Sequence, residues 1–205
     1  MKNYHKVIVK QIINEIIQET QTPVMKYYAF DWDDNIMVMP SVIHVEHLED
    51  GKWVNRSVST AKFSEIRSFI ADYYDGKDSV WKRKNDNFDD TYAEFRDYGP
   101  RGQDAFLNDT INAIKTNNFG PVWDKFIECI VDANIFMIIT ARGHEPESLR
   151  KPVEWVIHNY LTKSQKEEME SHLREYNELF GVVDTTKSFE KLVSDYLDLC
   201  DFIGV

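Results

Sequence analysis

The sequence predicts an α/β fold: a Rossmann-like parallel sheet with flanking helices and an insertion after the first strand. Three observations carry this. Short buried runs, Tyr27-Tyr28-Ala29-Phe30 and Ile135-Phe136-Met137-Ile138-Ile139, each stop abruptly at a polar residue, Asp31 and Thr140, and Phe202-Ile203-Gly204-Val205 closes the chain with a third. Stretches of helical periodicity separate the second and third runs. Residues 41–119, between the first two, have a different texture, rich in charge and aromatics.

The elements follow in order. Residues 5–19 place apolar side chains at 8/9, 12/13 and 16/17, with Lys6, Lys10, Asn14 and Gln18 elsewhere. This is an amphipathic helix of β-branched residues, whose modest helix propensity requires a surface to pack on. Gln21-Thr22-Pro23 breaks it, so residues 1–22 form a unit ahead of the domain at 23–205. The surface is the helix's own domain or, alternatively, a larger assembly, such as a packaged or virion-associated particle, to which the helix docks the chain. After the first strand, Val42–Leu48 and Trp53–Val58 flank Asp50-Gly51, the signature of a hairpin. Thr60 caps a helix carrying Phe63, Ile66, Phe69, Ile70 and Tyr73 and closing at Asp75-Gly76. Residues 77–102 show no clear period, and Ala105–Lys115 is a helix. Gly120-Pro121 starts a helix with Trp123, Phe126, Ile127 and Ile130 on its apolar stripe. Glu145-Pro146 opens another after the second strand, with Pro152 kinking it or marking its true start. Ser164 and Glu167 form a capping box for a helix that carries Met169, Leu173, Tyr176 and Leu179 and ends at Gly181. Ser188 caps the last helix.

Composition narrows the function classes. The chain has 205 residues, 24 Lys+Arg and 35 Asp+Glu, for a net charge of −11. Such an acidic surface repels phosphate backbones, so a nucleic acid is expected at most as a phosphorylated end. No run approaches the ~20 apolar residues of a membrane span. Cys129 and Cys200 make neither a disulfide framework nor a zinc spacing, and a cytoplasmic, reducing location is expected.

Chemistry gathers at the strand ends, where α/β sheets bind ligands. Asp31-Trp32-Asp33-Asp34-Asn35 puts several carboxylates just past a buried strand. Like charges held close call for a cation or a shared proton, and carboxylate oxygens suit Mg²⁺. Beside an ion, one carboxylate attacks phosphorus while its neighbour protonates the leaving oxygen. The plain alternative is an acidic turn that ends a strand. Thr140-Ala141-Arg142-Gly143 offers a hydroxyl, a guanidinium and backbone N–H groups to an oxyanion, or else a capped turn with a surface arginine.

Together these residues resemble the haloacid-dehalogenase-like phosphohydrolase superfamily. Its first motif, an apolar strand followed by Asp-x-Asp, is matched by Tyr28-Ala29-Phe30-Asp31-Trp32-Asp33, and its second, an apolar strand ending in Thr, by Ile135–Thr140. The resemblance implies Asp31 as the nucleophile of an aspartyl-phosphate, Asp33 as general acid/base, and Thr140 on the substrate phosphate beside Arg142. It implies Mg²⁺ bound by the Asp31 carboxylate and the Asp33 main-chain carbonyl. Residues 41–119 then correspond to a cap that selects a small phosphorylated substrate, on a core of residues 24–40 and 120–205. Two departures stand out. Asp34-Asn35 replaces the usual Gly-Thr after the second aspartate. For the later motifs, Lys187 and Lys191 are candidates for the lysine, and no acidic pair follows Phe202–Val205. Mg²⁺-dependent phosphomonoester hydrolysis is the expected function, with a non-catalytic module docked through residues 5–19 as the alternative.

Trp81-Lys82-Arg83-Lys84 reads as a solvated basic face more readily than as a polyanion contact, and His44-Val45-Glu46-His47 has no metal spacing. His144 reads as a loop histidine.

Overall fold

The computed structural model describes residues 26–70, 79–179 and 186–204. The N-terminal helix expected at 5–19, the helix ends expected at Asp75-Gly76 and Gly181, and Val205 lie outside them.

Two three-stranded sheets form the frame. In the first, β1 (Tyr27–Asp31), β5 (Ile135–Thr140) and β6 (Asp201–Gly204) lie in the order β1-β5-β6, all parallel. Phe30 pairs in register with Ile138, and Ile138 with Phe202. Alternation along the strands turns Phe30, Phe136 and Ile138 into the core, where Phe126 packs edge-on against both phenylalanines. The opposite face carries Tyr27, Ile139 and Ile203, all more than one-third exposed.

Helices cover the inner face. α4 (Trp123–Val131) follows a turn at Gly120–Val122, so Pro121 precedes the helix rather than opening it. α5 (Pro146–Trp155) starts at Pro146 and runs through Pro152, which therefore neither breaks it nor begins it. It passes into a widened i→i+5 turn over Val156–Tyr160. α6 (Lys163–Leu179) begins two residues earlier than the sequence suggests. Its capping box is Thr162 with Gln165: the Gln165 side chain accepts from the Thr162 N–H at 3.0 Å, and Thr162 Oγ1 accepts from the Gln165 N–H. α7 (Phe189–Leu197) is capped by Ser188 as expected. One continuous apolar cluster joins these helices to the sheet.

The insertion builds the second sheet, order β3-β2-β4, antiparallel, from β2 (Ile43–Glu49), β3 (Lys52–Val58) and β4 (Trp81–Arg83). Asp50 and Gly51 both take positive φ (48° and 76°), the two-residue turn that matches strand twist. α1 (Thr60–Ile66) is capped by Ser59 rather than Thr60, and gives way to a tight turn at Arg67–Phe69. A one-turn helix α2 (Phe88–Thr91) follows β4. This region has its own small core of Ile43, Val45, Ile66, Ile70 and Phe95. By contrast α3 (Ala105–Lys115), expected within the insertion, buries Phe106 and Ala113 in the main cluster. No described helix is long and apolar enough to cross a membrane.

Candidate functional site

β1 ends at Asp31 because the chain turns sharply there. The N–H groups of Ile36 and Met37 both bond to the Trp32 carbonyl, and Asp34 sits at φ 60°. Trp32, fully buried against Phe106 and Phe126, anchors the turn. Pairing of β1 with β5 then brings this turn beside Thr140, so both strand-end motifs meet at one edge of the sheet.

The three aspartates have three different fates. Asp33 is gripped by Arg142, whose Nε lies 3.1 and 2.9 Å from the two carboxylate oxygens and whose Nη2 lies 2.7 Å from Oδ1. Thr140 Oγ1 adds a third donor at 3.0 Å. Asp34 accepts from the Thr60 hydroxyl of the insertion at 2.7 Å. Asp31 stays exposed and accepts only from the Asn35 amide (3.0 Å) and the Trp32 main chain. Loss of water contact first, and the neighbouring Asp33 carboxylate second, raise the pKa of Asp31 above the ordinary carboxylate value.

Arg142 was expected on a substrate phosphate, yet its side chain is 0% exposed. The guanidinium lies 4.4 Å from the Phe95 ring centroid and 5.0 Å from that of Phe106, and donates to Ser41 Oγ at 2.9 Å. A planar, weakly hydrated cation tolerates such aromatic surroundings when a carboxylate meets it in bidentate fashion. Here Arg142 is a clamp on Asp33 rather than a group turned toward the surface. Thr140 is likewise buried, with its hydroxyl proton directed at Asp33.

The clamp continues into a polar chain. Ser41 donates to Asp109 (2.8 Å), Asp109 pairs with Arg101, and Arg101 reaches Glu94 (3.3 Å), which also faces His44 Nε2 (3.3 Å). Beside it His144, 3% exposed, stacks on Phe106 and holds Asp97 through Nδ1 at 2.9 Å. Burial lowers the His144 pKa below the usual histidine value, against the pull of Asp97. The Asp97 pKa also falls. Burial opposes this, but the Glu145 N–H, Ser148 and His144 outweigh it. Asp97 and Asp109 lie far along the chain from both motifs, and Ser41, though close after the first, carries no local pattern that marks it.

Two lysines considered for the later motif lie elsewhere. Lys187 and Lys191 both pair with Asp195 (2.9 and 2.7 Å), which sits with Ala133 and Ile135 at the amino end of β5, opposite Asp31. In the insertion, Lys82 is held by Glu46 and Asp86 and lies over Trp53. A groove of about 760 Å³ between α4 and α6, floored by Trp123 and Ile127, is also remote from the strand ends.

Among the described residues, no group of three or more His, Cys, Asp or Glu is placed to share a metal ion. The pair that could contribute to one is the Asp31 carboxylate and the Asp33 carbonyl. Asn35 Nδ2 donates to both, at 3.0 and 3.4 Å. Both are hard oxygen donors with a common neighbour, a set that suits Mg²⁺ retaining most of its water. No family model, no curated protein and no solved structure matches the chain.

Proposed function

We propose that the edge formed by Asp31, Asp33 and Thr140 is a phosphoryl-transfer centre that hydrolyses a small phosphomonoester. One observation carries this reading: of the three strand-end aspartates, Asp33 and Asp34 are engaged by an arginine and by threonines, and Asp31 alone faces solvent without such a partner. A carboxylate held at a rigid strand end is placed as a nucleophile. Its Oδ forms a bond to phosphorus as the bond from phosphorus to the ester oxygen breaks. The leaving oxygen takes a proton, a role the family resemblance gives to Asp33. Water then cleaves the aspartyl-phosphate, releasing phosphate and regenerating the carboxylate. Mg²⁺, held by the Asp31 carboxylate and the Asp33 carbonyl, would neutralise phosphate charge.

A second reading, a phosphatase-like module without turnover, is favoured by the Arg142 clamp. Both Asp33 oxygens already accept hydrogen bonds, so proton transfer by Asp33 requires it to leave that arrangement. Hydrolysis of an aryl phosphate with Mg²⁺, compared between wild type and Asp31→Asn, separates the two. Turnover abolished in the variant supports the enzyme; no turnover in either folded protein supports the module.

A further inference from the structure

The groove of about 760 Å³ between α4 and α6 is built on two parallel rows of one helix. Trp123, Ile127 and Val131, at i, i+4 and i+8 of α4, are buried and form its floor. Asp124, Glu128 and Asp132, each one residue further on, repeat that spacing along the α4 wall, and Glu168 of α6 lines the other. No lining residue is basic. Glu128 pairs with Lys125 on the same helix, an exposed pair of little worth, and Asp132 accepts from the Asn134 amide at 3.4 Å. Asp124 and Glu168 stand exposed, and no described residue forms an ion pair with either. A second feature converges here. Widened i→i+5 turns are rare and occur mostly at functional places. The one at Val156–Tyr160 is held by Lys166 Nζ on the His158 carbonyl (2.6 Å) and Asn159 Nδ2 on the Trp155 carbonyl (3.0 Å). It ends at Tyr160, whose ring meets Trp123 edge-on at 5.1 Å and lines the groove at that end.

We propose that this groove seats a basic amphipathic helix of a partner protein. The proposal stands apart from the phosphatase reading. The occupant follows from the two rows and their charge. Four helical residues rise about 6 Å, so a helix laid along α4 with apolar side chains and lysines or arginines in adjacent i, i+4, i+8 rows meets floor and wall with one period. Lysine and arginine suit a floor this deep, because their methylene stems cover apolar surface while the charged heads reach the carboxylates above it. Tyr160, 36% exposed, offers its ring to a cation at the end of the row. A single metal ion answers this arrangement poorly, since no three of the described carboxylates are placed to share one. A second copy of the chain answers it poorly as well, because two molecules of net charge −11 repel.

The test uses the full chain and three labelled helical peptides, followed by fluorescence anisotropy. One peptide carries Leu and Lys in adjacent i, i+4, i+8 rows, the second has Glu in place of Lys, and the third has Ser in place of Leu. The first should bind, and the other two should bind at least ~10-fold more weakly. Asp124→Lys combined with Glu168→Lys should weaken the Leu/Lys peptide by at least ~10-fold, whereas Glu65→Lys with Asp104→Lys, an equal change of charge on exposed side chains of the insertion, should alter it by less than ~2-fold. Equal weakening by the two double variants, or equally tight binding of the Ser peptide, would show attraction to net charge alone and overturn the proposal. No binding of the Leu/Lys peptide would overturn it too. Self-association of the wild type in sedimentation, lost in Asp124→Lys/Glu168→Lys, would give the groove to a second copy and overturn it in favour of a homodimer.

Discussion

The parallel core and the antiparallel insertion are held together by different forces. The core is a continuous apolar body in which Phe30, Phe126 and Phe136 interlock and the helices add leucines, isoleucines and valines. Among the described residues, the insertion's own core holds five buried apolar residues. Around them it arranges charge: Arg56 on Glu49, Lys82 between Glu46 and Asp86, His44 on Glu94. Apart from α3, which packs into the main cluster, the two regions meet through polar contacts, namely Arg142–Ser41–Asp109–Arg101, His144–Asp97, and the Gly143 N–H on the Phe95 carbonyl. Apolar burial is non-directional, whereas a bidentate ion pair fixes orientation, so the core supplies stability and the junction supplies geometry.

Four substitutions break or sharpen this contrast. Arg142→Ala has the largest expected effect, because it strands the Asp33 and Asp109 side of a buried network; a loss of about 3–5 kcal/mol is expected in denaturant unfolding. Ile70→Ala opens a cavity in the small core, with an expected cost of about 2–4 kcal/mol. If the junction is rigid, tryptophan fluorescence from the core and the insertion will report one shared transition. Two separated transitions would show that the insertion unfolds alone. Thr162→Ala removes a core helix cap remote from the junction and should cost about 1 kcal/mol, leaving hydrogen exchange in β2 and β3 unchanged.

The smallest effect is a dependence on pH. Since burial lowers the His144 pKa in the fold, its contribution is present above the unfolded value of about 6.5 and is lost as pH falls below it. Asp97, Arg142 and Asp33 are the charges facing it. In His144→Gln the slope of stability between about pH 7 and pH 5 should flatten; an unchanged slope would assign that titration to another group.

The sequence made the framework legible where local chemistry decides the structure. Apolar runs ending at Asp31 and Thr140 are strands, Asp50-Gly51 is the hairpin turn, and Ser188 is a cap, since each depends on near neighbours. β4 was not legible: Trp81, Lys82 and Arg83 carry no alternation, and β2 recruits them through main-chain pairing. The capping box shifted because Thr162/Gln165 and Ser164/Glu167 fit the same pattern two residues apart. The site divides in the same way. Asp31 stands where its strand predicts, but the inward turn of Arg142 depends on Phe95 and Phe106, contributed by distant segments. A guanidinium next to a strand end reads identically whether it faces a substrate or a core.

The insertion also imposes an order in time. Thr140 and Asp33, which meet at the site, are 107 residues apart in the chain, whereas the β2–β3 hairpin closes over two residues. Hairpins form in roughly 1–10 μs, and pairing across long intervals must first meet the entropy of closing the loop. The hairpin should therefore be protected early in refolding, and the β1–β5 ladder should gain protection only as the helices condense on Phe30 and Phe136. Pulsed hydrogen exchange read at Val45 and at Ile138 would resolve that sequence, and simultaneous protection of the two amides would refute it. On this schedule the strand-end aspartates come together late, after the segment that separates them has taken its shape.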